Sequence, residues 1–213
     1  MMIPKASMTT LTLMKPLRQN LMLNKTERTV TVLGIDPGLD RTGWAVLTRN
    51  TRSVLSLQAC GLIHTESNQS LPERLKFVFH ELQQILQTYQ PDQVAMEQNF
   101  FLKRATTMAN TVMTRGVIIL ACELAQKPIS FYPPRRVKLM ICGTGTADKK
   151  QVQRMVQLTL NLNKAPSPDD TADAVAIGIC HLKTAPLTNQ INIKAAFLAK
   201  LNAAKKQQIK NSH

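Results

Sequence analysis

Thr29-Val-Thr-Val-Leu-Gly-Ile-Asp36, followed at once by Pro37-Gly38, is the stretch that decides the fold of this chain. Its residues before Asp36 are apolar or β-branched and uncharged, and turn residues bound it, which is typical of a buried central strand. A second strand-like stretch, Gly43-Trp-Ala-Val-Leu47, follows directly. The pattern predicts a hairpin that carries a carboxylate at its turn. Because a lone buried carboxylate is costly, Asp36 either caps this turn or serves a cation.

The hydrophobic pattern around this hairpin predicts an α/β fold. Three consecutive strand-like runs predict an antiparallel meander. A helix opened by the capping box Ser70-Leu-Pro-Glu73 then leads to a strand that should run parallel to the first. The expected strands lie at about 29–36, 43–49, 53–64, 92–97 and 129–132, and the expected helices at about 70–90, 103–126, 134–141, 147–160 and 167–183.

The charge balance of the chain is strongly basic. Its 213 residues include 27 Lys and Arg against 13 Asp and Glu, which gives a formal net charge of +14. Such a surplus indicates a nucleic-acid or anionic-membrane partner. No apolar run approaches the roughly 18–20 residues that span a membrane. The four cysteines form no C-x-x-C pair, which excludes zinc-site spacing and indicates reduced thiols in a cytosol-like compartment.

Both ends of the chain differ from its core. Residues 1–28 are basic and hold one acid, Glu27, and we expect a disordered or mis-called N-terminal extension. An organellar transit peptide is the alternative interpretation of this leader. From Lys183 onward there are six lysines and no acid, so residues 184–213 are predicted to be a solvated, lysine-rich tail. The functional domain is therefore expected at residues 29–183.

Acidic residues are few, so their positions are informative. Glu97 ends the fourth predicted strand, and next to the first strand it would lie beside Asp36 at the carboxyl edge of the sheet, where open α/β sheets place their sites. Asp170 suits a capping box in which Ser167 is the N-cap of the final helix. Asp173 lies on the apolar face of that helix, where an acid needs a partner.

Together, Asp36, Glu97, Asp170 and Asp173 can complete a four-carboxylate cluster. Ligand sets made of oxygen alone suit Mg²⁺ or Mn²⁺ rather than zinc. Two such cations, about 3.5–4 Å apart, stabilise both the attacking and the leaving oxygens of a phosphoryl displacement. Combined with the basic surplus, the cluster predicts a metal-dependent nuclease.

Three acidic blocks of the chain closely resemble the bacterial RuvC family of Holliday-junction resolvases in order, spacing and context. The blocks are Leu33-Gly-Ile-Asp-Pro-Gly38 with Thr42-Gly-Trp44, then Ala95-Met-Glu-Gln-Asn-Phe-Phe101, and then Asp169-Asp-Thr-Ala-Asp-Ala-Val-Ala-Ile177. The similarity runs from about residue 30 to residue 183.

This resemblance implies a ribonuclease-H-like fold, with a mixed five-stranded sheet of a three-strand antiparallel meander plus parallel strands, flanked by helices. It implies a cytoplasmic homodimer that nicks four-way DNA junctions in symmetric pairs, in recombination and DNA repair, and leaves 5′-phosphate and 3′-hydroxyl ends. It also implies two Mg²⁺ ions per active site, with Mn²⁺ able to substitute. A RuvA/RuvB branch-migration complex is a candidate partner.

By motif position, the resemblance gives the family's metal-binding and catalytic roles to Asp36, Glu97, Asp170 and Asp173. Phe100 matches an aromatic residue that contacts DNA near the crossover, with core filler as the alternative.

Basic residues are carried over in the same way. Lys138 and Lys149 match positions important for junction binding or cleavage, with plain solvated lysines as the alternative. Lys149 also lies beside the Gly143-Thr-Gly-Thr-Ala turn, where backbone amides and a helix N-terminus favour phosphate. The long helix after residue 103 matches the family's dimer element, and Arg104 and Arg115 are candidate further DNA contacts.

Three other classes remain open at this point. A nucleotide-binding protein of the actin, Hsp70 and sugar-kinase kind shares the strand-Asp-x-Gly loop, but that architecture needs two related domains and a longer chain. A small RuvC-like nuclease of ribosomal RNA processing shares the acids, although the long helix and the Asp170-Thr-Ala-Asp173 spacing fit a resolvase better. A non-catalytic nucleic-acid-binding protein would not need the intact quartet.

Overall fold

A computed structural model describes residues 29–98 and 105–184 of the chain, with the side chains of 105–108 left out. The predicted extension at 1–28, the tail beyond residue 184, Phe100 and Arg104 lie outside the described residues. The expectations about them remain predictions.

Five strands form one mixed sheet. They are β1 (Val30–Asp36), β2 (Arg41–Arg49), β3 (Leu55–His64), β4 (Gln93–Glu97) and β5 (Ile129–Tyr132), in the spatial order β3-β2-β1-β4-β5. The first three strands are antiparallel neighbours, whereas β4 is parallel to β1 and β5 is parallel to β4. The predicted combination of a meander with parallel strands is confirmed.

Five helices flank the sheet within the described residues: α1 (Leu71–Tyr89), α2 (Ala105–Leu124), α3 (Pro134–Cys142), α4 (Lys149–Thr159) and α5 (Asp169–Thr184). The predicted bounds agree with these within about two residues. Among these described helices, none is long and apolar enough to cross a membrane. The four cysteines, all in the described part of the chain, are free thiols, as expected.

Two apolar cores lie on opposite faces of the sheet. Alternation along β1 sends Leu33 and Ile35 to one face, where they pack with buried side chains of α1 and α2. Val32 belongs to the core on the other face, which α5 fills together with buried residues of α3 and α4. Helix α5 is buried from Ala174 to Leu182, because the sheet lies beneath it and α3 and α4 cover it. From the sequence, only one apolar face of α5 was expected to be buried, whereas the helix is buried on all sides in this segment.

Helix α5 approaches β1 and β2 so closely that glycine is required beneath it. A Cβ atom on Gly34 would clash with the carbonyl oxygen of Ala174, and one on Gly43 would clash with the carbonyl oxygen of Asp170. Gly43 is also the β2 residue paired with Asp36. The first turn of α5 therefore rests directly over the end of β1.

The two predicted helix starts have different outcomes. At α1 the capping box is present, and the Glu73 carboxylate accepts the backbone N–H of Ser70 at 2.9 Å. At α5 the prediction is wrong, because the N–H of Thr171 donates to the carbonyl of Pro168 at 3.0 Å. Pro168, not Ser167, is the N-cap, since that position needs a carbonyl and no N–H. Asp170 is consequently the second helical residue rather than the third.

A buried polar network ties α5 to the sheet. His181 contacts the Tyr132 hydroxyl through Nδ1 at 2.8 Å and Gln93 Oε1 through Nε2 at 2.6 Å. Both contacts are satisfied when neutral His181 donates from Nε2 and accepts the Tyr132 O–H at Nδ1. Burial, aided by the charge of Arg49, lowers the pKa of His181 to about 4.

We expect this histidine to make the fold less stable as the pH falls below about 6.5. Its pKa is about 4 in the folded protein against an ordinary value of 6.5, so the unfolded chain takes up the proton first. Its contribution is complete above pH 6.5 and is lost toward pH 4, by about 1.4 kcal/mol per pH unit.

The measurement is urea unfolding between pH 7 and pH 4.5. Carboxyl groups titrate in this range as well, so the informative quantity is the difference between the wild type and His181→Gln. The wild type should lose stability more steeply than the variant. Equal slopes for the two proteins would contradict the neutral, buried state of His181.

Candidate active site

Two acids meet at the carboxyl edge of the sheet, as expected from the sequence. Ile35 of β1 is in register with Met96 of parallel β4, so the next residues, Asp36 and Glu97, end their strands side by side. Alternation places both on the face that α5 covers. Their carboxyl groups share a hydrogen bond.

Helix α5 brings two more acids to the same place. Its first turn lies over Gly43, the β2 partner of Asp36, and this turn carries Asp170 and Asp173. The charge of Asp170 acts on Asp36, and the charge of Asp36 acts on Asp173. The structure thus unites Asp36, Glu97, Asp170 and Asp173, which we call the acidic cluster.

The electrostatics of the acidic cluster favour protons or cations. Burial raises the pKa of Asp36 well above its usual range, and the hydrogen bond and charge of Glu97 raise it further. Burial also raises the pKa of Glu97. The pKa of Asp173 rises to about 6, first through burial and then through the charge of Asp36. Like charges held together out of water need compensation, which a bound cation supplies.

Two lysines named from the sequence face the cluster. The ammonium of Lys149 lowers the pKa of Asp36 and of Asp173, and that of Lys138 lowers the pKa of Glu97. Lys149 Nζ also lies 3.6 Å from Oδ2 of Asp169, an acid next to Asp170 in sequence that was not predicted to be a site residue. Both lysines therefore lie at the border of the acidic cluster.

The N-terminus of α4 is occupied by a side chain of the chain itself. Asp148 is its N-cap, where its carboxylate accepts the N–H of Gln151 at 2.9 Å, and the Gln151 amide oxygen accepts the N–H of Asp148 at 2.9 Å. The helix start and the turn before it were expected to favour a phosphate. The Asp148 carboxylate occupies one of these amides, that of Gln151, so the proposed attraction of phosphate here depends more on Lys149.

Arg115 has a different surrounding from the one expected of a DNA contact. Its guanidinium is partly buried, donates to the carbonyl oxygen of Glu97, and lies 5.9 Å from the ring centre of Phe131. Burial lowers the pKa of Arg115, and the charge of Glu97 raises it. Arg115 therefore links α2 to the end of β4, where it holds the backbone of Glu97.

Arg41, which the sequence patterns did not indicate as a site residue, also lies at the acidic cluster. Its Nη2 atom lies 2.5 Å from Oδ2 of Asp170, so an arginine is paired with one acid of the cluster. A signal was available in the hairpin pattern: Arg41 is two residues before Gly43, so alternation puts it on the same face of β2, at the edge where Asp36 lies.

The acidic cluster fits a hard divalent cation in its donor chemistry. All its donor atoms are carboxylate oxygens. Oδ2 of Asp170 is buried and, in the described part of the chain, receives no hydrogen bond, since the contact with Arg41 has the distance of an ion pair without the alignment of a hydrogen bond. Within residues 29–98 and 105–184, no three His, Cys, Asp or Glu side chains already form a metal-binding group. A cation would therefore have to draw the carboxylates together.

Comparison with known proteins decides the family. The family model described as crossover junction endodeoxyribonuclease RuvC matches residues 32–181. The chain belongs to the RuvC family. The RuvC of Roseiflexus sp. is 43% identical over 159 residues, which are 75% of this chain and 94% of that relative. The RuvC of Brevibacillus brevis is 44% identical over 150 residues, 70% of this chain and 90% of the relative.

Solved structures agree with the RuvC assignment. The T. thermophilus RuvC in complex with a Holliday junction substrate is 30% identical, with a TM-score of 0.68, and the match covers 71% of this chain and 92% of that one. The yeast mitochondrial Holliday junction resolvase Ydc2, 14% identical with a TM-score of 0.55 over 83% of this chain and 86% of its own, shows the fold alone. The expected ribonuclease-H-like fold and the enzyme class are confirmed, and the RuvC family is one of metal-dependent nucleases.

Proposed function

We propose that this RuvC chain resolves four-way DNA junctions by paired, symmetric nicks, in recombination and DNA repair. The observation that carries the proposal is the acidic cluster, in which carboxylates from β1, β4 and α5 meet at one sheet edge. The likeness to a RuvC solved with a Holliday junction substrate supports the choice of substrate. The family match favours this function over the nucleotide-binding, ribosomal RNA and non-catalytic alternatives.

The acidic cluster would hold two Mg²⁺ ions, and Mn²⁺ would substitute for them. Bound there, the ions would neutralise charge on the attacking and leaving oxygens of phosphodiester hydrolysis. Asp36 has the central place, since its carboxyl group interacts with both Glu97 and Asp170. Glu97, Asp170 and Asp173 complete the donor set.

Basic residues would bring the phosphates to these acids. Lys138 and Lys149 lie at the border of the acidic cluster, and the whole chain carries a formal charge of +14. Contacts with phosphate supply most of the sequence-independent affinity for DNA. Phe100 stays a proposed DNA contact near the crossover, and Arg104 a proposed further DNA contact. For Arg115 we propose a role in holding the backbone of Glu97 rather than a DNA contact.

A homodimer would explain why nicks come in pairs, because a two-fold axis repeats the site on strands of like polarity. Helix α2 shows an exposed apolar face that suits such an interface: Val112, Met113, Ile119, Leu120 and Leu124 are all exposed. Exposed apolar patches of this kind mark association surfaces. We propose that α2 forms the dimer contact.

Leu120→Glu should therefore break the dimer. The side chain is 54% exposed on α2, and burying a carboxylate against a partner would weaken association by about 2–3 kcal/mol, a dissociation constant roughly a hundredfold higher. Sedimentation equilibrium measures this directly. Leu158→Glu is the matched control, because Leu158 is 63% exposed on α4. A Leu120→Glu protein that dimerises like the control would rule out α2 as the interface.

A cleavage assay tests the function itself. A synthetic four-way junction, the corresponding linear duplex and a structured RNA are each incubated with the protein and Mg²⁺. We expect paired nicks with 5′-phosphate ends in the junction and little cutting of the other two. Preferred cutting of the RNA would support the ribosomal alternative. Binding of the junction without cutting, in Mg²⁺ and in Mn²⁺, would support the non-catalytic one.

The cellular setting follows from the same proposal. We place the protein in the bacterial cytoplasm, with a RuvA/RuvB branch-migration complex as a candidate partner. The bacterial sources of its relatives support this setting.

A further inference from the structure

Arg41 is placed at the edge of the acidic cluster by the hairpin. It is the first residue of β2, two positions before Gly43, which pairs with Asp36. The guanidinium reaches across to α5, where Nη2 lies 2.5 Å from Asp170 Oδ2. The Arg41 side chain is 46% exposed and that of Asp170 24%. A half-exposed arginine is thus paired with a partly buried carboxylate.

The contact with Asp170 differs from an ordinary surface ion pair. The oxygen that Arg41 contacts is buried and receives no hydrogen bond among the described residues. Because the Arg41 side chain is half exposed, solvent screens the pair, and we expect it to add little to the stability of the fold. The contact places one positive charge next to Asp170. The negative charges of Asp170 and Glu97 both raise the pKa of the neighbouring Asp36.

The nearest acid in sequence is already engaged elsewhere. Asp40 is paired with the buried Arg74, whose Nε also donates to the Thr65 hydroxyl at 2.8 Å. Across the strand pair, Arg41 faces His64, a base rather than an acid. The arginine is therefore directed to Asp170 by its surroundings as well as by the alternation of β2.

We propose that Arg41 is a stand-in cation, which pairs with Asp170 in the metal-free protein and must leave it before divalent cations fill the acidic cluster. This inference rests on the proposed function. In the metal-free protein, Arg41 thereby occupies one of the four carboxylates of the acidic cluster. Arg41 is thus a positioning residue that sets the free cation concentration at which the site fills.

Competition of this kind has a clear signature. A site that is available for only part of the time binds more weakly in proportion, so removal of the competing charge should tighten metal binding. Because Arg41 is half exposed and solvent screens the pair, Arg41→Gln should bind Mn²⁺ roughly twofold to fivefold more tightly. A residue that merely supported the fold would give weaker binding or no change when replaced.

The experiment is a titration of the full chain with Mn²⁺ in the absence of DNA, in which free Mn²⁺ is counted by electron paramagnetic resonance. Arg41→Gln should show the tighter binding, and Arg41→Lys, which keeps the charge, should stay near the wild type. Arg52→Gln is the matched control, since Arg52 is exposed in the turn at the opposite end of the β2–β3 hairpin. It should also bind as the wild type does.

The outcomes separate this inference from the function on which it rests. Unchanged or weaker Mn²⁺ binding by Arg41→Gln, with normal binding by the wild type, overturns the role of Arg41 alone. Equal tightening in Arg52→Gln also overturns it, because net charge would then be the cause. A wild type that binds no Mn²⁺ overturns both this inference and the proposed metal-dependent function.

Discussion

Asp36→Asn is expected to bind four-way junctions about as tightly as the wild type and to cut them roughly a thousandfold more slowly or worse. That loss corresponds to about 4 kcal/mol of transition-state stabilisation. Asparagine keeps the shape of the side chain and removes the charge that interacts with Glu97 and Asp170. We expect junction binding to rest on basic residues such as Lys138 and Lys149, which the substitution leaves in place.

The test of Asp36→Asn compares binding, by gel shift in Ca²⁺ or without metal, with single-turnover cutting in Mg²⁺. Asp148→Asn is the matched control, because it makes the same chemical change at an exposed N-cap where asparagine serves equally well. The control should cut normally. Undiminished cutting by Asp36→Asn in Mg²⁺ would remove Asp36 from the reaction.

Gly43→Ala should have the largest effect on the fold. Its new methyl group would clash with the carbonyl oxygen of Asp170, and neither strand β2 nor helix α5 can move without disturbing a packed core. We expect a loss of about 3 kcal/mol or more in the free energy of unfolding, together with loss of cutting because Asp170 is pushed away from Asp36.

Urea unfolding of Gly43→Ala, followed by circular dichroism, measures this loss. Gly116→Ala is the control, because in α2 the new methyl group would meet nothing within 4 Å of its own chain. Since α2 is the proposed dimer contact, both substitutions are compared in the Leu120→Glu background, where that contact should be broken. Alanine is also the better helix former, so the control should be as stable as the wild type or slightly more stable. A Gly43→Ala protein with unchanged stability would contradict the close approach of α5 to β2.

Sequence patterns were sufficient for the parts of the site that depend on local rules. Alternation and the right-handed crossover place Asp36 and Glu97 at neighbouring strand ends. Asp170 and Asp173, three residues apart on one helix, follow together once the helix is recognised. These rules involve only a few neighbouring residues, so the sequence shows them directly.

Other features depend on contacts between distant elements and were not predicted. Nothing in the periodicity of β2 links Arg41 to Asp170 on α5, because that pair forms only when the first turn of α5 sits over Gly43. The same holds for Arg115, whose contact with the Glu97 carbonyl needs α2 beside β4. For Arg41 and Arg115, the sequence could indicate which face of the strand or helix carries the side chain, but not which residue it would contact.

The start of α4 shows a third kind of error, in which the signal is present and is given another meaning. Asp148 and Gln151 have the spacing of a capping box, whereas the glycines before them suggest a phosphate-binding turn. Both interpretations use the same free amides. In the folded protein the Asp148 carboxylate accepts one of these amides, that of Gln151.

The deep burial of α5 has a consequence for how the enzyme would fail on heating. Its amides from Ala174 to Leu182 lie between the sheet and α3 and α4, so they exchange with solvent hydrogen only when the whole domain opens. The helix that carries Asp170 and Asp173 therefore cannot detach while the rest stays folded. On heating, we therefore expect loss of the acidic cluster through detachment of α5 to coincide with global unfolding of the domain.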